Sequence, residues 1–148
     1  MLKKLARWLR ILGQNTIHAG DYTEDDDEII KISMKNNATL LTRDEKLYHK
    51  AIQYTKAILL KSDELENQLK QLKIKPVKPR CTQCNGKLVE IEKKGIKNKI
   101  PEKVFQKVNR FWQCEDCGKI YWRGSHWKRI KKIKTLLNVK TLKITSLL

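Results

Sequence analysis

Four cysteines stand in the chain, in two pairs of one spacing, Cys81-Thr-Gln-Cys84 and Cys114-Glu-Asp-Cys117. Each C-x-x-C turn is followed closely by a glycine, Gly86 or Gly118, so four thiolates can be presented from two tight bends. Zinc suits that ligand set, because it has no redox chemistry and accepts tetrahedral sulfur coordination. With four positions filled by sulfur no site is open to water, so the expected zinc is structural. An iron–sulfur cluster or a redox dithiol would compete for the same residues. Cys84 and Cys114 enclose 29 residues, longer than the commonest ribbon spacing, and a hairpin or helix near Pro101 to Arg110 is expected to fill the gap.

Carboxylates form the second group. Asp21 and the run Asp25-Asp26-Asp27-Glu28 come first, then Asp44, then Asp63. Asp44 and Asp63 each follow a short apolar run, and ligands of parallel sheets gather outside the carboxyl ends of the strands. Carboxylates placed there can hold Mg²⁺ or Mn²⁺ and activate water against a phosphodiester. Helix capping is the competing use. Asp63 with Glu66 matches an N-cap box. Thr42 with Glu45 already makes a T-x-x-E box, which leaves Asp44 in the first turn, serving either a metal or the helix dipole. Residues 25–28 suit a helix start, but the mutual repulsion of four carboxylates predicts a cation nearby.

The elements that must position these groups are short. Leu2, Leu5, Leu9 and Leu12 recur at helical spacing with Trp8 beside them, while Lys3, Arg7 and Arg10 take the other face and Gly13 ends the helix. "NTIHA" reads as extended. The acidic turn leads into a second helix through Ile29, Ile30 and Ser33 to about Lys35, stopped by Asn36-Asn37. "ATLLT" and "AILL" are apolar, β-rich runs typical of buried parallel strands. Between them a helix is expected with Leu47, Tyr48, Ala51 and Ile52 inward, and after them one with Leu65, Leu69 and Leu72 on one side. Such alternation predicts a parallel α/β sheet. The proline-bearing "IKPVKPR" reads as a linker, placing a boundary near residues 74–80.

Charge is divided just as unevenly. The net charge is +17, yet residues 1–75 hold 14 Lys/Arg against 11 Asp/Glu while residues 76–148 hold 19 against 5. A field of that sign in one half points to a phosphate backbone, and less to an anionic membrane surface. Rings interleave with cations there, in Phe111, Trp112, Tyr121, Trp122, Arg123, His126, Trp127, Lys128 and Arg129, and exposed rings of this kind stack on bases while cations hold phosphates. At least half of the rings are expected to be ribbon core. His126 is either a base or a packing residue. No run approaches the roughly 18 apolar residues of a membrane span, and the basic residues of "MLKKLARWLRILG" interrupt any signal-like core. A cytoplasmic protein is expected, with no membrane partner.

In order along the chain, "MLKKLARWLRILG", "DDDEIIKIS", "LLTRDEKL", "ILLKSD", the first cysteine pair and "FWQCEDCGKIYWRGSHW" resemble the Mut-seven C-terminal RNase-domain family, to about Arg129. The resemblance implies a PIN-like nuclease fold, a parallel sheet flanked by helices, with a small zinc ribbon appended. It implies metal-dependent RNA cleavage by clustered acids. By matching position Asp26 and Asp44 are the active-site acids, Asp27 is an alternate to Asp26, and Asp63 matches less closely. It also implies a first strand ending in aspartate just before the Met-Leu pair that opens this chain; that strand is expected either upstream or not at all. The resulting reading is an α/β protein with a nuclease domain over 1–75, a zinc ribbon over 76–130 and a basic tail over 131–148. Asp26 and Asp44 hold Mg²⁺ or Mn²⁺, Arg43 and Lys46 hold phosphate, and Arg123, His126, Lys128 and Arg129 dock RNA. The rival reading is a non-catalytic RNA- or ribosome-binding protein whose acids are caps.

Overall fold

The computed structural model describes the backbone of residues 2–146 and the side chains of residues 2–137. Two compact units share the chain, and neither is continuous: Met1–Ala6 joins Ile17–Lys73, and Arg7–Thr16 joins Ile74–Leu148. Helix α1, Lys3–Ile11, therefore begins in one unit and ends in the other. Among the described residues no helix is long and apolar enough to cross a membrane.

The first unit contains α2 (Asp26–Lys35), β1 (Leu40–Thr42), α3 (Glu45–Ala51), β2 (Ala57–Leu59) and α4 (Leu65–Leu72). Asp25 starts α2 by accepting the Glu28 amide at 3.0 Å, and Thr23 Oγ1 accepts the amide of Asp25. Asn36 ends the helix, its side chain donating to the Ile32 carbonyl, and Asn37 follows in the left-handed region at φ 48. β1 and β2 pair in parallel with Leu41 opposite Ile58. Ile30 from α2, Leu40 from β1, and Leu47 and Ala51 from α3 form the buried cluster, with Ile29 and Ala57 packed against it. Ile52, expected inward, is 48% exposed, because α3 stops at Ala51 and Ile52 lies beyond its last turn. Gln71 of α4 extends the pattern of β2, donating to the Leu59 carbonyl and accepting the Lys61 amide.

The second unit holds an antiparallel sheet in the order β3 (Leu88–Ile91), β4 (Phe111–Cys114), β5 (Ile120–Tyr121), with Glu90 opposite Trp112 and Gln113 opposite Ile120. Phe111 is fully buried and meets Trp122 edge to face at 6.2 Å. None of Phe111, Trp112, Tyr121, Trp122 and Trp127 is fully exposed, as a small ribbon with few other apolar groups requires. The long insertion carries a 3-10 turn at Lys93–Ile96 and a short helix, α5 (Glu102–Lys107). Helix α6 runs from Trp127 to Ser146 and buries Ile133 and Leu137. The expected basic tail at 131–148 thus starts as helix, while its side chains from 138 onward lie outside the described residues.

Candidate metal centre and carboxylate positions

Both cysteine turns are built alike. The residue after the second cysteine of each pair is left-handed, Asn85 at φ 69 and Gly118 at φ 76. Asparagine tolerates that region almost as glycine does. Gly86 serves a different need from the bend expected of it: a Cβ there would lie 2.6 Å from Cys114 Sγ, so a side chain would push the two turns apart. The sulfurs of Cys81 and Cys117 stand 3.6 Å apart and those of Cys84 and Cys114 3.4 Å apart, with all four within 4.8 Å of one another. A tetrahedral zinc with Zn–S near 2.3 Å needs sulfurs ~3.8 Å apart, so the four residues fit the ion.

Beyond the sulfurs, the Tyr121 hydroxyl lies 3.0 Å from Cys81 Sγ while accepting the Thr82 amide at 3.2 Å. Burial disfavours a thiolate at Cys81. Hydrogen bonds from Tyr121 and from the backbone of Cys84 and Gln83 outweigh it and bring the thiol down to about 6. Tyr121 itself is pushed up to about 12 by burial and by Cys81, so at neutral pH it remains a donor. A ligand sulfur held by a fixed outer donor is the usual architecture around metals. The spacing of Tyr121 from the cysteines carried no signal for this role.

The carboxylates are placed differently from the capping scheme read in the sequence. Asp44, not Thr42, is the N-cap of α3: its Oδ1 accepts the amides of Lys46 at 2.8 Å and Leu47 at 3.1 Å. Thr42 Oγ1 accepts the Asp44 amide at 3.0 Å, from two residues before the cap. Both helix amides use the same oxygen, which leaves Asp44 Oδ2 free for another ligand. Asp63 caps nothing; Glu64 holds the N-cap position of α4 without accepting a helix amide, its carboxylate taking Asn67 Nδ2 at 2.9 Å instead, and Ser62 Oγ accepts its amide. The cation expected beside the acidic run is Lys50, whose Nζ is 2.7 Å from Asp27 Oδ1. That bond and its charge hold the Asp27 carboxyl below its usual range, while Asp27, with Asp26 and Asp25 nearby, raises Lys50. Asp26 remains exposed at the start of α2. Among the described residues the four cysteines are the group of three or more side chains able to hold a metal ion; the aspartates do not form one.

Of the cations expected to meet RNA, Arg43 and Lys46 are exposed around the start of α3. Arg123 lies between two rings, 5.7 Å from that of Trp112 and 4.5 Å from that of Trp127. Arg110 covers Trp112 at 5.1 Å and Lys134 covers Trp127 at 5.2 Å, completing an alternating row of cations and rings. Arg129 lies over Trp8, and His126 and Lys128 are exposed.

A model of the Mut7-C RNAse domain matches residues 1–134. The chain belongs to this family. The match runs through both the acidic segments and the cysteine centre, so in this Mut7-C protein the ribbon is part of the family's domain. The membership points to a ribonuclease role with RNA as substrate. No curated protein and no solved structure matches the chain.

Proposed function

We propose that the protein is an endoribonuclease that uses Mg²⁺ or Mn²⁺ held by Asp26 and Asp44, within a PIN-like first unit, and that its zinc ribbon docks the RNA. The observation that carries this reading is the match of the RNAse domain across residues 1–134. The position of Asp44 supports it, since the residue follows β1 at the carboxyl end of the parallel pair and keeps one carboxylate oxygen uncommitted. Asp26 is the better partner than Asp27, whose carboxylate is bound to Lys50. A bound divalent ion would supply a water of lowered pKa and offset charge on the phosphodiester. Arg43 and Lys46 would hold the non-bridging oxygens. On the ribbon, Arg123 is pre-oriented by its two tryptophans, so it loses little freedom on meeting a phosphate.

A second reading, an RNA-binding protein without cleavage, is favoured by one observation: Asp25 and Asp44 both cap helices, and the aspartates form no group of three. Labelled single-stranded RNA incubated with Mg²⁺ or Mn²⁺ separates the two. Cleavage by the wild type, lost in Asp26→Asn and after chelation, supports the nuclease. Binding with no cleavage in either metal supports the second reading.

A further inference from the structure

Helical periodicity puts Arg10 on the polar face of α1, yet it is 7% exposed. Its Nε donates to the Thr16 carbonyl at 2.9 Å, which fixes the guanidinium within the segment that follows α1. Its Nη1 donates to the carbonyls of Thr82 at 2.9 Å and Gln83 at 3.3 Å. These two carbonyls belong to the residues between Cys81 and Cys84. In a trans peptide the C=O and the next N–H point in opposite directions. The peptides that Arg10 grips are therefore those whose N–H groups belong to Gln83 and Cys84, the two backbone donors to the Cys81 sulfur. The other end of the turn is held by the same segment. Asn85 Oδ1 accepts the Thr16 amide at 2.9 Å, its Nδ2 donates to Asn15 at 2.7 Å, and the Arg80 amide donates to the Arg10 carbonyl at 2.8 Å.

We propose that Arg10 is a positioning residue of the cysteine centre, turning two backbone donors onto Cys81 and offsetting the negative charge of a four-thiolate site, so that residues 10–16 are part of the metal-binding knuckle. Four thiolates around a divalent ion leave a net charge of about −2. A guanidinium is the cation suited to a buried position there, because it cannot lose its proton and its planar fork reaches two acceptors at once. The proposal stands apart from the ribonuclease reading and uses only residues of one compact unit.

The test is zinc competition with a chromophoric chelator on the full chain, comparing wild type, Arg10→Gln, Arg10→Lys and a packing control, Ile133→Val, at a temperature where all are folded. Arg10→Gln should hold zinc about 10–100-fold more weakly, the usual effect of losing an outer partner of a metal ligand. Arg10→Lys should recover part of that loss, and Ile133→Val should stay within about twofold of wild type. Hydrogen exchange on the wild type gives a second measurement should Arg10→Gln fail to fold. Chelation should deprotect the amides of Thr16 and Arg80 and leave those of α2 and α4 unchanged. Wild-type affinity in Arg10→Gln, an equal loss in Ile133→Val, or amides that stay protected after chelation would overturn the proposal. A wild type that takes up no zinc would overturn the metal centre and this proposal with it.

Discussion

Asp44 has two duties to separate, and one atom suffices for the first. Its Oδ1 accepts both amides at the start of α3, at 2.8 and 3.1 Å. Replacing it by alanine leaves both amides to water and should cost about 1 kcal/mol. For a unit of this size that is roughly a 4–8 °C fall in Tm. Asparagine caps as well as aspartate, so Asp44→Asn keeps the amide bonds and loses only the interaction of charge with the helix dipole, about 0.3–1 kcal/mol. Alanine loses the amide bonds as well as the charge, so it should melt below the asparagine variant, which itself should melt slightly below wild type. Activity should divide differently. A divalent ion needs the negative charge, so both variants should lose cleavage in Mg²⁺ or Mn²⁺ by orders of magnitude while binding RNA as before. Thermal melts followed by circular dichroism and single-turnover cleavage of labelled RNA measure the two effects. Wild-type cleavage by Asp44→Asn would reduce Asp44 to a cap, and equal melting of the alanine and asparagine variants would refute the capping geometry.

Acid should weaken the contact between α2 and α3 through Asp27. Its folded carboxyl lies below its ordinary value of 3.8, so the contribution is present above that pH and is lost as the pH falls through the lowered value. Lys50 is raised above 10.5, so its share is present below that pH and fades as the pH rises through the raised value. In an NMR titration Lys50→Met should return Asp27 to the ordinary range; an unmoved Asp27 would show the pairing to be absent in solution. On the ribbon, Lys128→Ala combined with Arg129→Ala should reduce the slope of log affinity for single-stranded RNA against log salt by about 1.4, or 0.7 per phosphate contact. An unchanged slope would place the RNA elsewhere.

What could be read from the residues alone was what is local. The cysteine turns, the start and stop of α2 and the two short strands depend on neighbours within a few positions. Residues 41–45, "LTRDE", contain two capping patterns offset by two residues, and only packing decides that α3 begins after Asp44 and not after Thr42. Helical periodicity puts Arg10 on the solvent face because it records which way a side chain points and nothing of what meets it; two of its three acceptors lie 72 and 73 residues away. The cation beside the acidic run was anticipated from repulsion alone, while its identity as Lys50 required α2 and α3 to be brought together.

The interleaving of the two units also sets a clock on synthesis. Arg10 is made well before the Thr82 carbonyl it grips, which lies 72 residues later. At about 5–20 residues per second the two are separated by ~4–14 s on the ribosome. Through that interval the Arg10 guanidinium and the carbonyls of Arg10 and Leu12, later taken by the amides of Arg80 and Val77, stay with water. The first unit's segment Ile17–Lys73 lies wholly inside the gap, so it can settle while the second is still incomplete. Cys117 follows Cys81 by 36 residues, so metal capture comes after the segment Ile17–Lys73 has been made. A chain released early would expose an arginine and an unfinished knuckle together, and zinc supplied after release would have to close the long loop unaided, at an entropic cost that grows only slowly with its length.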